Sequence, residues 1–452
     1  MNFLLIFLGK LTFYISRFFN LGNGSTWPGH IALSVNKIFI RDIIKQNSKL
    51  KIILIAGTNG KTTTGKLLQA ILEKNGEKVF QNEAGANLLN GIASSLLLHS
   101  SILCKVNYDY AIFEVDEATL PLVLKEINPD YLILINLFRD QLDRYGEVNT
   151  IAKKWGEAIR HLLPKTKLIL NADDPQIAYL GKSRGVVAES PSRWNRIDTS
   201  VFYFGLNDKT LHHKIRQHAV DSTYCPKCDS KLSYKSIYYS HLGDWECKNC
   251  KLKRPNLDLS SIEYYPISGT YNRYNTLAAV LLAKQIGIEQ SKINTALRGF
   301  TPAFGRQEIL NINGKIVQIF LSKNPTSFNE SLRTIAGLKA KSVLFVLNDR
   351  IPDGRDVSWI WDVDFENYIK GFKAITVAGD RCYDLGLRIK YATQNSNVKT
   401  QNYNSKVKIY DNLNEAIKVA LNQLVKSETL YILPTYSAML EVRKILTGKK
   451  IL

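Results

Sequence analysis

The sequence lacks an apolar run long enough to cross a membrane. Its N-terminal apolar stretch, Phe3 to Leu8, falls far short of the ~20 residues a spanning helix needs, and Lys10, Thr12, Ser16 and Arg17 interrupt the residues after it. The basic leader and A-x-A-like cleavage site of a secretory signal are missing too. Cysteine is scarce, with six in 452 residues, four of them in two CxxC pairs. That usage excludes a secreted disulfide framework and suits a reducing cytoplasm with one metal site. Acidic residues are outnumbered, 40 against 60 Lys and Arg, giving a net charge of +20. Such an excess favours anionic partners: nucleotide phosphates, nucleic acid or an acidic membrane surface. A lysine-rich solvated surface is the plain alternative. Internal repeats and low-complexity tracts are absent.

The features that are present start with an amphipathic pattern. Leu4, Phe7, Leu8, Leu11, Tyr14, Ile15, Phe18 and Phe19 fall on one helical stripe. The expectation is a helix packed on its own domain in a cytoplasmic protein. The alternative is an interfacial helix at the inner face of the membrane.

From residue 51 the pattern changes to alternating strands and helices. The apolar run KIILIA ends at a glycine-rich turn, and a helix is predicted from Thr62 to about Asn75. Further strands are predicted at Tyr110 to Val115, Tyr131 to Asn136 and Lys167 to Leu170, with helices over 117–127 and 147–162. This alternation predicts a parallel α/β sheet. Residues 222–256 break it with a Lys-, Tyr-, Ser- and Cys-rich insertion, and a helix from Asn272 to Gln285 resumes it. A second α/β unit is predicted from about residue 310, with strands Ile316 to Leu321, Ser342 to Leu347, Ala374 to Ala378 and Thr429 to Leu433. Polar loops come after each strand, and ligands of open α/β sheets bind at such carboxyl ends. The expected division is an N-terminal segment 1–48, a central domain 49–305 carrying the insertion 222–256, and a C-terminal domain 306–452.

Gly57-Thr58-Asn59-Gly60-Lys61-Thr62-Thr63 follows a buried strand and opens a helix, the context of a phosphate-binding loop. Glycines let backbone N–H groups approach phosphates, and the helix N-terminus favours negative charge. Lys61 is expected to bridge the terminal phosphates of ATP and Thr62 to ligate Mg2+. Ile55 stands where the longer GxxxxGK[ST] pattern has glycine, so this is a shorter variant. Glu114, at the end of a strand, is a candidate metal ligand, whereas Asp116 and Glu117 read as solvated acids at a helix start. Cys225, Cys228, Cys247 and Cys250 form two CxxC turns separated by 18 residues. Four thiolates from two such turns make a closed structural zinc site, a zinc ribbon. Tyr234, Lys235, Tyr238, Tyr239 and Trp245 interleave aromatics with lysines there, which keeps an ATP-dependent nucleic-acid-binding protein as an alternative.

These motifs resemble the Mur ligase superfamily, which includes folylpolyglutamate synthases. Gly57 to Thr64 resembles its GTNGKTTT loop, and Glu114 falls at its Mg2+-binding glutamate. Asn136 to Tyr145 is similar to its N-x-x-x-DHLDR segment, with Gln141 where a metal-binding histidine is usual. Leu170 to Pro175 matches its LNADDP stretch. Gly269 to Asn275 is similar to its GxHNxxN segment, with Tyr271 in place of histidine and Asn272 at the adenine-contacting position, and Arg306 begins its R-x-E element. Gly22 to Gly29, Asp353 to Asp362, Thr435 to Met439 and the CxxC insertion resemble one branch, the MurT-type ligases. The resemblance implies a Mur ligase-like P-loop ATPase domain with an inserted four-cysteine zinc ribbon and a C-terminal Rossmann-like α/β domain. It further implies ATP-dependent amidation of the D-glutamate α-carboxylate of lipid II through an acyl phosphate, within peptidoglycan biosynthesis, and no nucleic-acid partner. Ammonia would come from a glutaminase subunit of GatD type in a heterodimer. Asp349 would complete that partner's Cys–His pair, with Asp353 and Asp356 as alternatives. Structurally, Asp349 could instead hold its loop to Arg350 or Arg355. An amino-acid-adding Mur or folylpolyglutamate-type ligase is the rival on the same fold.

The residues themselves support a second subunit. Hydrolysing glutamine requires a nucleophilic cysteine with a histidine base. Cys104 and Cys382, the two outside the CxxC turns, lie outside any G-x-C-x-G elbow, and none of the seven histidines pairs obviously with either.

Overall fold

The computed structural model describes residues 2–19, 26–82, 85–140, 148–183, 200–212, 217, 220–395, 406–425 and 428–448. Half of Gly22 to Gly29 (residues 22–25) and the stretch from Gln141 to Tyr145 therefore lie outside the described residues.

Three helices, α1 (Asn2–Phe18), α2 (Trp27–Val35) and α3 (Phe39–Gln46), precede the first strand. Six parallel strands then form one sheet: β1 (Lys51–Ala56), β2 (Val79–Gln81), β3 (Tyr110–Val115), β4 (Tyr131–Leu134), β5 (Lys167–Asn171) and β6 (Val201–Phe204), in the order β2-β3-β1-β4-β5-β6. Between them run α4 (Lys61–Lys74), α5 (Leu89–His99), α6 (Leu120–Glu126), α7 (Val148–Arg160) and α8 (Pro175–Ser183). A strand covered on both faces reads as a continuous apolar run. In β1, Ile52, Leu54 and Ala56 enter the core on one face, while Ile53 and Ile55 enter the core on the other.

The insertion is an antiparallel hairpin, β7 (Ser233–Tyr239) and β8 (Leu242–Glu246). It is keyed to the end of β5: Trp245 Nε1 donates to Ala172 O at 3.0 Å, Gly243 N to Asp173 O, and Arg254 ion-pairs with Asp173 at 2.9 Å. The 170–175 stretch is thus a structural junction. Asp173 also accepts from Leu206 N and Tyr274 Oη, and Asp174 from Leu137 N and Gln176 N.

Helices α9 (Thr270–Ile286) and α10 (Gln290–Arg298) lead to a second six-stranded sheet. Its strands are β9 (Arg306–Ile312), β10 (Lys315–Phe320), β11 (Ser342–Val346), β12 (Ala374–Ala378), β13 (Val407–Ile409) and β14 (Thr429–Pro434), ordered β13-β12-β11-β14-β10-β9. Only the β9–β10 pair is antiparallel. Helices α11 (Pro325–Gly337), α12 (Cys382–Asn395), α13 (Leu413–Asn422) and α14 (Tyr436–Thr447) complete this half. The predicted strands of both sheets form at or within two residues of their expected bounds. Missed were β2, β6, β9 and β13, all at or next to a sheet edge, where short or half-exposed strands lack a clean pattern.

Helix α1 does pack on the first half, but through the face opposite the predicted stripe. Leu5 and Ile6 enter the core. Gly9 lies so close to Leu97 that a Cβ there would stand 2.5 Å from that side chain. The predicted stripe faces outward.

Candidate active site

The carboxyl end of β1 feeds a loop whose shape glycine permits. Gly57 and Gly60 have φ of 147° and 96°, and a Cβ on Gly60 would stand 2.1 Å from Asn275 Oδ1. Asn136, just beyond β4, clamps the loop from below. Its Oδ1 accepts from Asn59 N and its Nδ2 donates to Asn59 O, both at 2.9 Å. Thr58 and Phe138 exchange hydrogen bonds beside it. Hydrogen bonds within the protein thus hold the loop without a ligand.

Around it the structure assembles a buried polar chain. Thr62 Oγ1 donates to Glu114 Oε2 at 2.8 Å, and Arg306 Nη2 reaches Thr62 Oγ1 at 3.3 Å. Lys61 Nζ donates to the carbonyls of Gly57 and Thr58 and pairs with Glu117 Oε2 at 3.2 Å. The expectation of solvated Asp116 and Glu117 is therefore wrong: both are buried, and Glu117 is the counter-ion of Lys61. Lys323, after β10, ion-pairs with buried Asp140. Burial raises the Glu114 carboxyl above the usual range, against the pull of Thr62 and Arg306. Glu117 is also fully buried, but Lys61 and Lys323 outweigh desolvation and hold it low. Burial lowers the Arg306 guanidinium, with Glu114 opposing. One carboxyl thus favours its proton or a cation, while its neighbour stays ionised.

A cavity opens beside the loop, lined from one side by Asn59, Gly60, Thr63 and Asn272 and from the other by Arg306 and Lys323. Asn272 presents its Oδ1 to Asn275 Nδ2, so the two asparagines are linked against the loop. A second space of about 820 Å³ lies beyond Lys323, which walls both, and is bordered by Asp140, Asp353, Asp356, Trp359 and Asp362.

The cation sites fit their expected ions by donor chemistry. Thr62 and Glu114 offer hard oxygen atoms beside the phosphate loop, as Mg2+ requires. The four thiols of Cys225, Cys228, Cys247 and Cys250 lie within 4.8 Å of one another and are unbridged. Sγ separations of 3.5 and 3.6 Å exclude disulfides and approach the roughly 3.8 Å edge of a tetrahedral zinc–thiolate site with ~2.3 Å bonds.

Asp349 follows β11 on a partly exposed loop and pairs with Arg381 at 3.0 Å, not with Arg350 or Arg355. Arg350 instead binds Asp380 and Glu441. Asp353 is consumed structurally, accepting from Ser437 N in the first turn of α14 at 2.8 Å and from Ser437 Oγ. Asp356 accepts from Ser358 N. Cys382 opens a helix after a strand and turn, though not in a G-x-C-x-G elbow. Its thiol is buried, pushed up to about 11 by burial, and bonded to Asp411 rather than to a histidine. It is not an activated nucleophile. Sequence reasoning gave no role to Asn136, Asp140, Asn275 or Lys323 and misread Glu117. Asn136, Asp140 and Asn275 lay within its motif segments, and Lys323 in a polar loop at a strand's carboxyl end.

The Mur ligase middle domain family matches residues 55–283, and the MurT ligase C-terminal family matches residues 321–439. The chain is 34% identical over 388 residues to the lipid II isoglutaminyl synthase (glutamine-hydrolysing) subunit MurT of Staphylococcus aureus (strain COL), covering 82% of this chain and 83% of that one. The chain belongs to the MurT family. The MurT subunit of Streptococcus pneumoniae (strain ATCC BAA-255 / R6) is 32% identical over 459 residues, 97% of this chain and 95% of that one. Among solved structures, a pseudomurein peptide ligase type C from Methanothermus fervidus superposes with a TM-score of 0.62 at 23% identity, over 90% of this chain and 81% of that one. That likeness concerns the Mur ligase-like fold alone.

Proposed function

We propose that this chain is the ligase subunit of a lipid II isoglutaminyl synthase. The observation that carries the reading is the convergence of Lys61, Thr62, Glu114 and Arg306 on one phosphate loop, facing a cavity between the two sheets. MurT membership supplies the reaction. Residues 49–305 act as the ATPase domain, and residues 306–452, a Rossmann-like α/β domain, close over it.

ATP lies on Gly57 to Thr63 with its adenine toward Asn272. Phosphate oxygens replace the carbonyls now satisfied by Lys61. Thr62 and Glu114 would hold Mg2+, which would neutralise phosphate charge, and the four cysteines would hold a structural Zn2+. The D-glutamate α-carboxylate of the lipid II stem peptide enters from the space beyond Lys323. A carboxylate oxygen forms a bond to the γ-phosphorus, the β–γ bridging P–O bond breaks, and ADP leaves. Lys61, Lys323 and Arg306 balance the charge that develops, which is most of what phosphoryl transfer asks of a protein. Ammonia then attacks the acyl carbon, phosphate departs, and loss of a proton leaves D-isoglutamine.

A glutaminase subunit of GatD type supplies the ammonia, and Asp349 orients its catalytic histidine. Asp349 is favoured over Asp353 because Asp353 is already committed to the first turn of α14. The decisive experiment is co-purification with a glutaminase subunit followed by lipid II amidation with ATP and glutamine. Isoglutaminyl lipid II is the expected product. No amidation with all components present refutes the proposal.

A further inference from the structure

The outward stripe of α1 carries no part of the chemistry above. Phe3, Phe7, Leu11, Tyr14 and Phe18 recur every three to four residues along it, with Phe7 50% and Phe18 81% exposed. Its other face is fixed to the protein by Leu5, Ile6 and Gly9, so the stripe is a rigid surface and not a loose tail. A contiguous apolar face of this kind marks a docking site. Beside it, Lys10 Nζ donates to Ser100 O, tying α1 to the loop that exposes Ile102 and Leu103. Trp27, at the start of α2, is also exposed.

Charge selects the occupant. Residues 1–41 contain no Asp or Glu but include Lys10, Arg17, Lys37 and Arg41. An apolar stripe on an acid-free, basic segment suits a bilayer with anionic headgroups, where apolar area and cationic side chains act together. A protein partner would gain nothing from the missing acids. No described helix is long and apolar enough to cross a membrane, so the contact is in-plane.

We infer that α1 docks the chain on an anionic bilayer by its Phe3–Phe18 face. The inference deepens the proposed function, because it places the ligase at the surface where a lipid-linked substrate resides, but its test uses no substrate. Full-length chain is sedimented with phosphatidylcholine vesicles with and without phosphatidylglycerol. Expected are binding to the anionic vesicles, weakening with salt, and a loss of at least about tenfold in Phe7→Asp/Leu11→Asp, whose altered positions face solvent. Unchanged thermal melting of the variant separates lost docking from lost fold. Absence of vesicle binding by the unmodified chain, binding retained in the variant, or self-association abolished by the same substitutions each overturns the inference. Amidation of a soluble, lipid-free substrate tests the function independently.

Discussion

Two polar clusters sit at the carboxyl ends of the two sheets, and they are built on opposite plans. At the first sheet, Lys61, Glu114, Glu117 and Asp140 are buried, and their partners come from sequence neighbours and from distant strands. At the second, Asp349, Arg350, Arg381 and Asp380 are partly or largely exposed and pair only among surface groups. Buried charges tolerate no misplacement, because each left unpaired would cost several kcal/mol. Exposed pairs are worth little and exchange partners readily. On the proposed function, the first cluster is preassembled for chemistry within the chain, and the second is left open to the partner subunit.

Replacing Lys61 strikes the preassembled cluster hardest. Lys61→Ala should lower amidation about 10³- to 10⁵-fold with glutamine or ammonium as nitrogen donor, and weaken ATP binding in calorimetry. Equal activity with either donor would leave the comparison standing. A defect confined to glutamine would break it. Asp349→Asn tests the open cluster in reverse. Glutamine-dependent amidation should fall about 10²- to 10⁴-fold in the presence of the partner while ammonium-supported amidation persists. Loss of both activities would make Asp349 part of the ligase site instead.

Gly60→Ala asks how rigid the phosphate loop is. The new methyl meets Asn275 at a backbone angle that L-residues rarely adopt, so stability should drop by about 1–3 kcal/mol, read as a lower melting temperature. Arg350→Ala should change stability by less than about 1 kcal/mol in a denaturant titration, because its two ion pairs are solvated. A larger loss would show that the second cluster is structural after all.

The same contrast governs what the sequence discloses. The KIILIA strand, the glycine spacing and the CxxC pairs announce themselves because each obeys a local rule: burial on both faces, positive φ, or thiolate geometry. Glu117 does not. Three residues after a metal-ligand candidate it looks solvated, and only the fold brings it to Lys61, 56 positions earlier in the chain. Asp140 and Lys323 are 183 positions apart, and no periodicity marks the pair. The apolar stripe of α1 is visible, but its direction is not, since a packed helix that is apolar nearly all round has no polar face to point outward. Arg381 as the partner of Asp349 is likewise hidden, because two loops from different strands meet there.

The contact between Arg306 and Thr62 has a thermodynamic consequence. Arg306 opens the second sheet, Thr62 lies in the first turn of the helix after the phosphate loop, and Asn324 meets Asn59 nearby. Atoms that a nucleotide would engage are the atoms that now join the halves. A nucleotide would share or displace these contacts, so its affinity and the strength of the junction between the halves would be linked, and linkage is reciprocal.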